Sequence, residues 1–118
     1  LLLADLPEAE RRALAEKLDF PMYTSRSIPN AGAFLKELAT VREQGWATDL
    51  GGHEESINCI GAPIPGADGR VVAAMSVSAP NVVVTADELL TLLPLVRRTA
   101  DAISREYSGQ APRQEERP

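Results

Sequence analysis

Two β-rich runs separated by a short turn constrain this chain more than any other feature. Ile57-Asn58-Cys59-Ile60-Gly61-Ala62-Pro63-Ile64 and Arg70-Val71-Val72-Ala73-Ala74-Met75-Ser76-Val77-Ser78 flank Pro65-Gly66-Ala67-Asp68-Gly69, a linker rich in residues that suit tight turns. The pattern predicts an antiparallel hairpin. Pro63 has no N–H to give to a ladder, which implies an edge position or a bulge near the turn. Side chains alternate between the two faces of a strand, so the hairpin can be sorted by parity. With a four-residue loop at 66–69, Ile60, Ala62 and Ile64 share a continuous apolar face with Val71, Ala73, Met75 and Val77. Ile57, Cys59 and Gly61 then oppose Ala74, Ser76 and Ser78 on the other face.

Two readings of that second face stand side by side. Ser76 and Ser78 fit the solvent side of a half-exposed sheet, with Cys59 as a small buried hydrophobe. They equally fit a concave face where hydroxyls and a thiol converge on a small polar ligand. A solvated strand face more often carries Lys, Glu or Thr than Cys, Gly, Ala and Ser, and that depletion favours the pocket. Asp49 adds a carboxylate from the end of a preceding short strand, Trp46 to Asp49, which the Gly51-Gly52 pair terminates. His53, Glu54 and Glu55 follow in a loop that reads as solvated. One His beside Glu, with no second His, does not make a common ligand set, so no metal is expected. Nor is a catalytic residue: no nucleophile elbow, oxyanion loop or third orienting group accompanies Cys59 and His53. Gly66-Ala67-Asp68-Gly69 precedes no helix and is a turn, not a phosphate loop.

The rest of the chain is mainly helical. Pro7 suits the first turn of a helix that ends near Leu18, and Leu1 to Ala4 reads as the end of an earlier one. Residues 19–29, with two prolines and the polar run Thr24-Ser25-Arg26-Ser27, form an extended connection. Asn30 is placed to cap a helix over 31–44, closed by Gly45. Thr85 and Glu88 make a capping-box pair that opens one long last helix. Along it Leu89, Leu93, Val96, Ala100, Ile103 and Tyr107 form an apolar seam that Pro94 should kink. The order helix, helix, strand, hairpin, helix predicts an α+β fold, an antiparallel sheet with helices packed on it.

With 118 residues there is room for one domain, expected over 1–109, and residues 110–118 have nothing to bury and read as a disordered tail. A net charge of −5 and scattered arginines exclude nucleic-acid binding by this stretch itself. The single Cys59 excludes an internal disulfide, and no apolar run approaches the ~20 residues of a membrane span. Together these predict a cytoplasmic protein that engages no membrane. The opening Leu1-Leu2-Leu3-Ala4 has neither an initiator Met nor a signal-peptide pattern, and reads as the middle of a longer chain.

Three blocks resemble the effector-binding domain of the IclR family in residues and spacing. They are Gly45-Trp46-Ala47-Thr48-Asp49, the 57–64 strand, and Asp68-Gly69-Arg70 through Ser76-Val77-Ser78-Ala79-Pro80. Leu2-Leu3-Ala4-Asp5-Leu6-Pro7-Glu8 and the long last helix are similar to it as well, so the resemblance covers residues 1 to about 109. It implies a GAF-like fold and a role as the metabolite-sensing part of a bacterial transcription regulator. DNA would be contacted only through an N-terminal winged helix-turn-helix absent from this stretch, as are the first strands of the sensor domain. The implied ligand contacts fall on Asp49, Ile57, Cys59, Ser76 and Ser78, four of which parity places on one face. The implied partners are a small-molecule effector and further copies of the chain in a homodimer or tetramer, with no cofactor. Where the family commonly has acidic residues and then a Gly, this loop has Leu50, Gly51, Gly52 and Ser56. Two other readings remain: an oligomerisation module with a vestigial pocket, and more distantly an enzyme using Cys59.

Overall fold

The computed structural model describes residues 1–108, so the tail expected over 110–118 lies outside the described residues. The hairpin forms where the β-rich runs demand it. Strands β2 (Ile57–Pro65) and β3 (Val71–Pro80) pair antiparallel, and β1 (Ala47–Leu50) pairs antiparallel with the other side of β2. The sheet order is β1-β2-β3. Ile60 lies opposite Val77, Ala62 opposite Met75 and Ile64 opposite Ala73, the parity expected from the sequence.

That parity arises by a different route. The Gly66 N–H donates to the Arg70 carbonyl at 2.7 Å and the Gly69 N–H to the Gly66 carbonyl at 3.0 Å, with Gly69 at φ 83°. This tight turn leaves three residues, 67–69, at the tip, and a register shift at Ile64/Pro65 leaves Val72 unmatched. The bulge corrects one expectation. Val71 does not join the core face; with Pro63 it lines a small cavity beside Leu1, Ala4, Asp5 and Val41, and its N–H donates to Asp5 Oδ2 at 2.9 Å. Pro63 sits two residues past the last β1 pair, Ala47 with Gly61, and close to the shift, where its missing N–H is tolerated.

Helix α1 (Glu8–Lys17) starts directly after Pro7, with Glu8 and Glu10 at its positive end. Helix α2 (Ala31–Gln44) is capped by Asn30, whose Oδ1 accepts the Ala33 N–H at 2.8 Å, and it stops at Gly45 in the left-handed region, φ 81°. Leu3–Asp5 is a single 3₁₀ turn, not the end of an α-helix. Arg11 and Arg42 both donate to the Ala4 and Leu6 carbonyls and fix that turn between α1 and α2. Ala4, Leu38 and Val41 form a small core here, with Leu1, Phe34 and Ala47 packed against it.

The main core joins the other face of the sheet to the C-terminal helices: Ile60, Ala62 and Ile64 meet Leu89, Val96 and Ala100. Here a second expectation is corrected. The last helix is not continuous but broken into α3 (Ala86–Leu90) and α4 (Leu93–Tyr107), with Pro94 in the first turn of α4. Proline lacks the N–H for the preceding turn and its ring collides with the carbonyl four residues back, so the chain restarts there and does not bend. The seam divides with it. Leu89, Val96 and Ala100 are buried, whereas Ile103 and Tyr107 are 41% and 68% exposed. Ser104 Oγ, donating to the Pro65 carbonyl at 2.5 Å, marks where α4 reaches the end of β2. The Thr85–Glu88 capping box is present as expected. Thr85→Ala should lower stability by about 1 kcal/mol, read from the urea midpoint. No helix among the described residues is long and apolar enough to cross a membrane.

Candidate functional site

The three strands bring one residue each into a single rung on the face away from the main core. Asp49 pairs with Cys59, and Cys59 with Ser78. Cys59 Sγ and Ser78 Oγ are 3.0 Å apart, and either can donate. With Ile57, His53 and Glu54 these residues line a cleft of about 370 Å³. Four of the five site residues expected from the sequence therefore meet there. The fifth, Ser76, lies one rung along, opposite Gly61, and is exposed outside the cleft lining. Gly61 is required at that rung. A Cβ there would stand 2.9 Å from Leu1 Cδ1 and 3.2 Å from the Met75 carbonyl oxygen, so only glycine lets Leu1 lie on the sheet.

The wall beyond Asp49 is a loop whose shape has identifiable causes. Gly51 adopts φ 74° and returns its N–H to the Ile57 carbonyl at 3.2 Å. Asp49 Oδ1 accepts the Gly52 N–H at 2.7 Å, which ties the carboxylate to the loop. Two buried hydroxyls complete the anchorage. Thr24 Oγ1 donates to the Gly51 carbonyl and Ser27 Oγ to the Gly52 carbonyl, each at 2.5 Å. Thr24 and Ser27 bond each other's turn as well, through the Thr24 N–H to Ser27 Oγ at 3.0 Å. Reading 19–29 as a plain extended connection missed this. The Thr-x-x-Ser spacing, which suits hydroxyls that satisfy local and neighbouring backbone, was the available signal.

The chemistry of the cleft is that of recognition. It offers a thiol and a hydroxyl able to donate or accept, a carboxylate that accepts, and an apolar Ile57 wall. The hydrogen-bond partner of Cys59 is the neutral Ser78 hydroxyl. His53 instead sets its ring edge-on to Tyr23, with centroids 4.9 Å apart. Among the described residues no three His, Cys, Asp or Glu side chains gather into a group able to hold a metal ion.

A larger groove of about 620 Å³ lies between β1, the 18–28 segment and α2. It shares only Asp49 and His53 with the cleft.

Comparison with known proteins agrees with this architecture. Residues 1–105 match the model of the bacterial transcriptional regulator IclR C-terminal family. The HTH-type transcriptional regulator XynR of Escherichia coli is 32% identical over 105 residues, which is 89% of this chain and 42% of XynR. The crystal structure of the Agobacterium tumefaciens repressor BlcR superposes with a TM-score of 0.80 at 32% identity, covering 91% of this chain and 44% of BlcR. The inducer-binding domain of the Acinetobacter transcription factor PobR, a double mutant in complex with 3-hydroxybenzoic acid, superposes with a TM-score of 0.82. That match has 27% identity and covers 87% of this chain and 59% of the PobR domain. This chain thus spans less than half the length of XynR and BlcR. Its antiparallel sheet, its packed helices and its match over residues 1–105 establish that the chain belongs to the IclR family of bacterial transcriptional regulators, within their C-terminal domain.

Proposed function

We propose that residues 1–109 form a sensing domain that binds a small polar metabolite and thereby modulates operator binding by a DNA-binding part of the same protein. The observation that carries this reading is the Asp49–Cys59–Ser78 rung, three polar side chains from three strands facing one cleft. Ile57 supplies the apolar wall, and Ser76 extends the polar row by one rung. A hydroxy acid fits this set if its hydroxyl faces Asp49 and its carboxylate faces the Ser hydroxyls, because two carboxylates in contact repel. The aromatic hydroxy acid bound by the related PobR domain supports that class. Differential affinity for two arrangements of the protomers in a homodimer or tetramer would carry the signal to DNA, in the cytoplasm.

A thermal-shift screen of small hydroxy and keto acids, followed by calorimetric titration of the strongest stabiliser, tests this reading. Ser78→Ala should weaken that ligand about tenfold by removing a hydrogen bond. Unchanged affinity would overturn the assignment.

A further inference from the structure

We infer that the groove between the 18–28 segment and α2 is a second ligand site, one that takes a small organic cation with an aromatic or apolar body. The groove runs along β1, where Thr48, Asp49 and Leu50 all line it, and it contains neither Cys59 nor Ser78. Its walls are aromatic in a chain with only five aromatic residues. Phe20 and Phe34 pack at a centroid distance of 5.7 Å and an interplanar angle of 57°, and Tyr23 stands against His53 at the rim.

The charge of the lining selects among ligands. Three carboxylates, Asp19, Glu37 and Asp49, face the groove against one guanidinium, Arg26. Neither Asp19 nor Glu37 has a hydrogen-bond or salt-bridge partner among the described residues. Arg26 is turned toward the backbone, its Nη1 donating to the Leu50 carbonyl at 3.4 Å. Aromatic rings beside an excess of carboxylates attract an ammonium through the ring quadrupole and through charge, and they disfavour an anion. An organic acid, suited to the Cys59 cleft, is therefore the wrong ligand here.

The test is titration of the full chain, followed by NMR, with three probes of one shape and different charge: benzyltrimethylammonium, benzyl alcohol and benzoate. Benzyltrimethylammonium should bind about tenfold more tightly than either of the others. Phe34→Leu and Glu37→Gln should each weaken it about fivefold, and Asp19→Asn, at an exposed position that cannot disturb folding, about twofold. Ser78→Ala should leave this affinity unchanged, which separates the groove from the cleft. Equal affinity for the three probes, no binding, or loss of binding in Ser78→Ala would each overturn the proposal. So would sedimentation data showing that Tyr23→Ala breaks a dimer, since a second copy of the chain would then fill the groove.

Discussion

Leu89→Ala is expected to lower the unfolding free energy by about 3–4 kcal/mol, the upper part of the range for a buried Leu truncated to Ala. Leu89 has no solvent exposure and sits where α3 meets the sheet, in the cluster that holds Ile60, Ala62, Ile64, Val96 and Ala100. Its neighbours come from three separate elements, so no single side chain can relax into the vacated space. Domains of this size are stable by only about 5–15 kcal/mol, and the variant should unfold at a clearly lower urea concentration with an unchanged slope. A loss below about 1 kcal/mol would show that the core does not close on this residue.

The second large effect is expected from the loop anchorage. The double variant Thr24→Val with Ser27→Ala removes the donors to the Gly51 and Gly52 carbonyls. Gly51 is buried, and an unsatisfied buried acceptor costs about 1–3 kcal/mol, so the pair should lose about 3 kcal/mol. The loss should also reach the cleft, because the loop held by these hydroxyls carries His53 and Glu54 and donates its Gly52 N–H to Asp49 Oδ1. Amide hydrogen exchange should rise over residues 50–56 well before global unfolding. Protection unchanged over that segment would mean that the Asp49 turn holds the loop alone.

Much of the fold was legible because it rests on local periodicity. The strand pair 57–65 and 71–80 follows from alternation and turn residues, and α2 follows from Asn30 at one end and Gly45 at the other. The failures have physical reasons. Val71 changed faces because a bulge at Val72, near the turn as Pro63 implies but at a position no residue type announces, restored the parity of the longer loop while moving the register by two residues. The apolar seam from Leu89 to Tyr107 looked continuous because spacing alone does not reveal where a helix breaks, and Pro94 proved to start α4 and not to bend a single helix.

The site divides in the same way. Parity sufficed to put Cys59 and Ser78 on one face, but a four-residue loop at 66–69 would set Cys59 opposite Ser76, and the observed register moves it to Ser78. Asp49 reached the same rung only through the β1–β2 register, which depends on pairing across a loop. The roles of Thr24, Ser27 and the Phe20–Phe34 pair depend on packing between segments 14 to 27 positions apart, and the Thr-x-x-Ser spacing signals the hydroxyls without naming their partners.

The most direct test of the account is residue-resolved NMR of the chain titrated with the organic acid retained by thermal-shift screening. The account predicts that the amides of Asp49, Ile57, Cys59 and Ser78 shift most, on one side of the sheet, while those around Leu89, Val96 and Ala100 move little. Shifts concentrated on that opposite face, or at the 18–28 groove, with the Asp49–Cys59–Ser78 rung silent, would contradict it.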